Sequence, residues 1–488
     1  MAKRDEIANQ GLVILDAKGI ANTQRTTERL EEAGGRILHR YGARVLIGEV
    51  PPGTGRGIAA QRGIRAVHTG PVREKPRGLT DAESMGVAAW NLRASRGYAT
   101  AKANRPADGL RWDVEGETPL IPPDGPGMTH TADEQPALGF GAALDDTSLY
   151  LIGSVAVGII IVEGLTADLQ FSEEERTKVV AEVQEGLTWL GTREPKAGVS
   201  FVYDIRPPVQ LNLAPNPALS GYEPMEAHWR DPAMAKIGFA ANFGGVREYV
   251  KTIRANNGTK WGYVAFFTKY PTHHFAYASK PRLVMQYAND NWGPDNIDRV
   301  FTHETGHIFG CPDEYAASGC STTTKAGFLQ EVNGNCQNGA AAFTPCLMAG
   351  NTWEMCSYTP THFGWRDTDG DGALDPVDPV GNPSPLVDLS KLCSDLPFIC
   401  QLFGIGQGAA GGPVGVAGGI GGAGGVGPGG QPRPEAVPVE LLRQVLTPAE
   451  MARVETAVRA EELRYLEALE RKLRTAADAI ARDRARDR

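Results

Sequence analysis

One stretch, Thr302 to Tyr315, leaves the chain little structural freedom, because it sets two histidines, a glycine and an aspartate at fixed spacing. His303 and His307 fall on one face of a helix about one turn apart, so both imidazoles reach a single metal ion. Glu304 is rotated about 100° from His303 and points beside that ion rather than onto it. Gly310 stands where the helix has to stop and turn back, which a residue tolerant of positive φ does at low cost. Asp313 follows three residues later as a third ligand. An open zinc site takes three protein ligands and a water, so His303, His307 and Asp313 predict zinc, with Glu304 placed to take the water's proton.

The flanking sequence predicts a sheet to carry that helix. Ser154 to Glu163 is a β-branched apolar run suited to a central strand. Ser172 and Glu175 form a capping box, opening a helix whose apolar stripe is Val180, Val183, Leu187 and Leu190. Val199 to Ile205 returns as a strand, which makes one right-handed β-α-β unit. Trp261 to Thr268, His274 to Ser279 and Arg282 to Tyr287 are further strands. Asp295 is expected to cap the helix that carries the histidines, with Asp298 in its first turn.

Residues 1–75 alternate as β-α-β-β-α-β, the ferredoxin-like split arrangement. Residues 76–140 are rich in Pro, Gly and Ala and predict an extended linker, and 141–365 are expected to form the metal-binding domain. Residues 366–403 hold an acidic loop and a Cys-containing tail. The Gly-dominated 404–434 cannot build a packed core and predicts a tether. Residues 435–488 predict an amphipathic helix with Met451, Val454, Val458, Leu466, Leu469 and Leu473 on one face. Such a helix packs on this chain, on a second copy or on another protein.

Lys and Arg number 49 against 58 Asp and Glu, a net charge of -9, which excludes a nucleic-acid surface built on clustered cations. The longest apolar stretch, Leu149 to Val162, is too short to span a bilayer, so no membrane segment is expected. All seven cysteines follow the histidines, which favours disulfides and an oxidising compartment outside the cell. The start lacks the apolar run of a secretory leader, which points the other way, and reduced buried cysteines are the alternative. The compartment stays open.

With Asp313 as last ligand, the HExxHxxGxxD segment resembles the metzincin metalloproteases, and within them the snapalysins and the immunoglobulin-A-peptidase-type bacterial enzymes. The resemblance implies an α+β fold: a twisted, mostly parallel sheet with one antiparallel edge strand, a zinc helix and a Met-containing turn beneath it. Pro345 to Gly350 looks like that turn, with Met348 as the floor. The same likeness implies a Cys346–Cys356 bridge, His274 to Ser279 as the strand that pairs with a peptide or protein substrate, and Tyr315 as a donor to the developing oxyanion. It implies a zinc endopeptidase. Residues 1–75 resemble the inhibitory propeptides of subtilisin-like proteases, so a zymogen is expected. The rival reading is a catalytically silent zinc-fold protein that acts through its C-terminal helix.

A second metal loop is predicted further on. Asp367, Asp369, Asp371, Asp375 and Asp378 place oxygens at positions 1, 3, 5, 9 and 12 around Gly372, and Ala373 offers its carbonyl, a pattern suited to calcium. Position 12 is Asp rather than the longer Glu, and no flanking helix pair is evident. A structural, dockerin-like or free-standing calcium site is therefore expected.

Overall fold

The computed structural model describes residues 9–115 except 17–22, 33, 52 and 75, then 147–378, and beyond these only 386–388, 436–438 and 453. The Gly-rich tether, Cys393, Cys400 and 116–140 of the expected linker lie outside the described residues, as does the helix expected over 435–488 except for Arg453 and for Ala436–Pro438, which is instead a short strand paired with Leu386–Asp388. Two units separate along the chain: among the described residues, those up to 365 belong to the first and those from 366 on to the second. Among the described residues no helix is long and apolar enough to cross a membrane.

The first unit is a mixed α/β fold on a ten-stranded sheet. Its strands are β1 (Gln10–Leu15), β2 (Arg36–Tyr41), β3 (Val45–Glu49), β4 (Ile64–His68), β5 (Ser154–Glu163), β6 (Ser200–Ile205), β7 (Val209–Gln210), β8 (Trp261–Thr268), β9 (Ala276–Ser279) and β10 (Arg282–Gln286). The order is β4-β1-β3-β2-β6-β5-β8-β10-β9, with β7 paired to β5. Strands β2, β6, β5, β8 and β10 run parallel, and β9 is antiparallel at the edge.

Each helix covers a face that the strand pattern leaves apolar. β5 is buried throughout after Ser154, as a strand covered on both faces must be. Ala156, Ile160 and Val162, with Val264 and Phe266 of β8, pack on α6 (Tyr222–Lys236) and α7 (Phe243–Asn257) through Trp229, Met234, Val246, Tyr249, Val250 and Ile253. The alternate β8 side chains Tyr263 and Phe267 point to the opposite face and meet Phe301 of α8 (Ile297–Ile308), the helix that carries the histidines. α5 (Glu173–Gly191) lies beside α8, and its Ser172–Glu175 capping box forms as expected.

The N-terminal strands continue this same sheet. Residues 10–68 follow the expected β-α-β-β-α-β order, with α1 (Thr23–Glu32) and α2 (Gly55–Ala59) over a core of Val13, Leu15, Leu30, Leu46 and Ile58. β2 then pairs with β6 in the register His39↔Phe201, Arg40↔Val202 and Tyr41↔Tyr203. Polar groups seal the junction. Arg36 Nη2 donates to Gly191 O at 2.5 Å, and the buried His39 ring joins Tyr203 Oη (2.9 Å) to Thr188 Oγ1 (2.8 Å).

Two expectations change here. Residues 76–115, read as extended linker, hold α3 (Asp81–Arg93) and α4 (Arg96–Ala103). Thr80 and Glu83 close a capping box at the start of α3, which packs on α5, and Arg93 is tied to Glu185 at 2.6 Å. Asp295 does not cap α8 but sits in a single turn before it, paired with Lys178 at 2.5 Å. Asn296 precedes the first helical residue, and its amide goes to the Pro106 and Trp292 carbonyls instead.

Candidate metal centre

α8 ends where the sequence requires it. Cys311 N donates to Gly306 O (2.9 Å) and Gly310 N to His307 O (3.0 Å), the paired bonds of a Schellman stop, with Gly310 at φ +89°. A Cβ on Gly310 would stand 3.1 Å from Gly327 Cα. The chain thus reverses and brings Asp313 back against the histidines. Below the helix, a Cβ on Gly306 would meet Met348 Sδ at 2.7 Å, so the absent side chain makes room for the thioether. Met348 is fully buried there.

The three expected ligands converge. His303 Nε2 lies 3.0 Å from His307 Nε2, and Asp313 Oδ1 lies 3.1 Å and 3.3 Å from them. Each imidazole has its other nitrogen engaged: His303 Nδ1 with Leu347 O at 3.1 Å and His307 Nδ1 with Cys311 O at 2.8 Å. A carbonyl only accepts, so both Nδ1 atoms carry a proton, and both Nε2 atoms turn with Asp313 Oδ1 toward one point. Three such atoms so close together call for a cation among them, a metal ion or a proton. The spacing suits zinc, whose tetrahedral donors at ~2.0 Å stand about 3.3 Å apart.

Burial works against a charge on His307, but the Asp313 carboxylate outweighs it and raises the group to about 9, while the histidines hold Asp313 well below the usual carboxylate range despite its burial. Glu304 is 2% exposed and its Oε2 has no hydrogen-bond partner. Burial pushes its carboxyl up, against the pull of His307 and His303. Tyr315 is buried with its ring 6.5 Å from that of His303, and its hydroxyl is also unpartnered.

The Cys346–Cys356 bridge does not form. Cys346, Cys356 and Cys311 are buried thiols, and the disulfide among the described residues joins Cys320 to Cys336. The two expected partners meet as hydrogen-bonded thiols, with Glu314 and Thr359 beside them: Cys356 Sγ is 3.0 Å from Glu314 Oε1, and Cys346 Sγ is 3.2 Å from Thr359 Oγ1. Burial raises the Glu314 carboxyl to about 8.

In the second unit, three of the carboxylates expected to hold calcium come together. Oxygens of Asp367, Asp369 and Asp371 gather within 4.8 Å of one another. Asp375 turns to its own neighbours, accepting from Arg366 Nε (2.6 Å) and from Thr368 N (2.8 Å) and Oγ1 (2.7 Å). Asp378 is buried, with its backbone N–H on Leu374 O.

The sequence reading missed Lys102, Arg105 and Trp112, which close on the centre from the stretch read as linker. Arg105 holds Asp298 of α8 with both guanidinium nitrogens (2.9 and 3.1 Å), Lys102 joins at 3.0 Å, and the Trp112 ring stands 5.6 Å from His303. A lone tryptophan among charged residues carries no periodic signal that would have found it. No protein-family model, curated protein or solved structure matches this chain. The reading of the centre rests on its geometry.

Proposed function

We propose that the protein is a zinc-dependent endopeptidase with His303, His307 and Asp313 as ligands and Glu304 as general base. The observation that carries this is the convergence of His303 Nε2, His307 Nε2 and Asp313 Oδ1 within 3.3 Å of one another, with Glu304 buried beside them and its Oε2 unpartnered. A structural site has no use for that carboxylate. Zinc held there supplies a Lewis acid that acidifies water and polarises a peptide carbonyl. Glu304 takes the proton and returns it to the departing amine; its burial raises proton affinity toward the neutral range where such a shuttle works best. Tyr315, with its hydroxyl uncommitted, is placed to donate to the developing oxyanion.

The finer assignment is metzincin-like, supported by the antiparallel edge strand β9, the Schellman stop at Gly310 and Met348 under Gly306. A peptide would pair along β9 by main-chain hydrogen bonds. The ferredoxin-like reading of residues 10–68 is supported by their β4-β1-β3-β2 order. Structural calcium at Asp367, Asp369 and Asp371 is a separate proposal, tested by whether added calcium raises the melting temperature. The zinc reading is tested by Glu304→Gln. Expected are one zinc bound as in the parent and casein cleavage down at least a hundredfold. Equal cleavage by zinc-loaded parent and variant would refute it.

A further inference from the structure

We infer that Trp112 is a positioning residue for the metal ligand His303, an inference that rests on the zinc reading above. Trp112 is fully buried, edge-on to the His303 ring at 5.6 Å and to Trp292 at 4.9 Å. Its Nε1–H donates to Leu347 O at 2.7 Å. That is the same carbonyl that receives His303 Nδ1–H at 3.1 Å. Both lone pairs of the oxygen are thereby used, so its direction is fixed, and with it the tautomer and tilt of His303 that turn Nε2 toward the metal.

The backbone around Trp112 holds it in place. Residues 109–112 run antiparallel to 349–351, just past Met348: Gly109 N to Asn351 O (2.8 Å), Asn351 N to Leu110 O (2.7 Å) and Trp112 N to Ala349 O (3.2 Å). Upstream, Arg105 and Lys102 grip Asp298 in the first turn of α8. Residues 102–112 therefore join the start of the zinc helix to the turn beneath its ligands. By this geometry the segment belongs to the metal centre and is not a spacer leading to it.

The test compares Zn2+ affinity, by competition with a chromophoric chelator, and the visible spectrum of the Co2+-loaded full chain. Trp112→Phe keeps an aromatic ring and removes the donor; Trp112→Gln keeps an N–H and removes the ring. Leu110→Ala, exposed in the same stretch, is the control. Expected is about tenfold weaker Zn2+ binding for Trp112→Phe with a shifted Co2+ spectrum, partial recovery in Trp112→Gln, and no change in the control. A purely structural role would lower the melting temperature and leave the spectrum unmoved. Parent-like affinity and spectrum in Trp112→Phe overturn the inference. His303→Ala separates it from the zinc reading: if that variant binds Zn2+ as the parent does, both fall. Should the Trp112 variants unfold, hydrogen exchange on the unaltered chain decides. Zn2+ slows exchange over residues 102–112 if the segment supports the ligand, and unchanged exchange refutes it.

Discussion

His39 shows what a single buried ring does at a junction between chain segments. Burial, and then the nearby Arg93, holds its pKa well below 6.5, so the folded protein keeps it neutral between Tyr203 on β6 and Thr188 on α5. A histidine depressed in the folded state contributes stability that is present above its unfolded pKa and lost as pH falls below it. The loss begins near pH 6.5 and deepens as the pH falls further. Denaturant titrations at pH 7 and pH 5 should therefore show a steeper fall for the parent than for His39→Gln, and equal slopes would contradict it. Asp298 gives the complementary case at the start of α8. Asn in its place leaves the buried Arg105 without its carboxylate, and a cost of about 3 kcal/mol is expected from the unfolding midpoint.

Among the elements, α8 is set as much by its end as by its length. Ala at Gly310 would put a side chain at φ +89° and its Cβ 3.1 Å from Gly327 Cα. The expected loss is about 1–2 kcal/mol of stability, together with weaker zinc binding because Asp313 is carried by that turn. Calorimetry and chelator competition measure the two. This part was legible in the sequence, since the HExxHxxGxxD spacing is local and each residue has one geometric task. The strands were legible for a related reason: β5 and β8 are continuous apolar runs, and their bounds fall where the sequence put them. α3 was missed although Thr80 and Glu83 spell a capping box, because Pro and Gly around it, and a helix without a clear apolar stripe, read as linker. Trp112, Arg105 and Lys102 were illegible in a stronger sense. Their partners His303, Asp298 and Glu182 are 80 or more residues away, and only tertiary structure brings them together.

At the scale of the whole molecule, the sheet order bears on how residues 1–75 act. Inhibition by covering the substrate strand would place them at β9, but they extend the sheet from β6, with β5, β8 and β10 in between. Removing them uncovers the β6 edge and the groups around His39, an exposed strand edge of the kind that aggregates. A chain starting at residue 76 is therefore predicted to be less soluble, to melt lower and to cleave casein no faster than the full protein. Higher activity from that truncation would contradict this and support the propeptide reading. The same strand order bears on synthesis. The first 68 residues complete the pairing of β1 to β4 among themselves, whereas Tyr203, which meets His39, lies 164 residues beyond it. Because amino-terminal segments emerge from the ribosome first and distant pairings close slowly, β2 stands as a ready template on which the nascent β6 can be laid down.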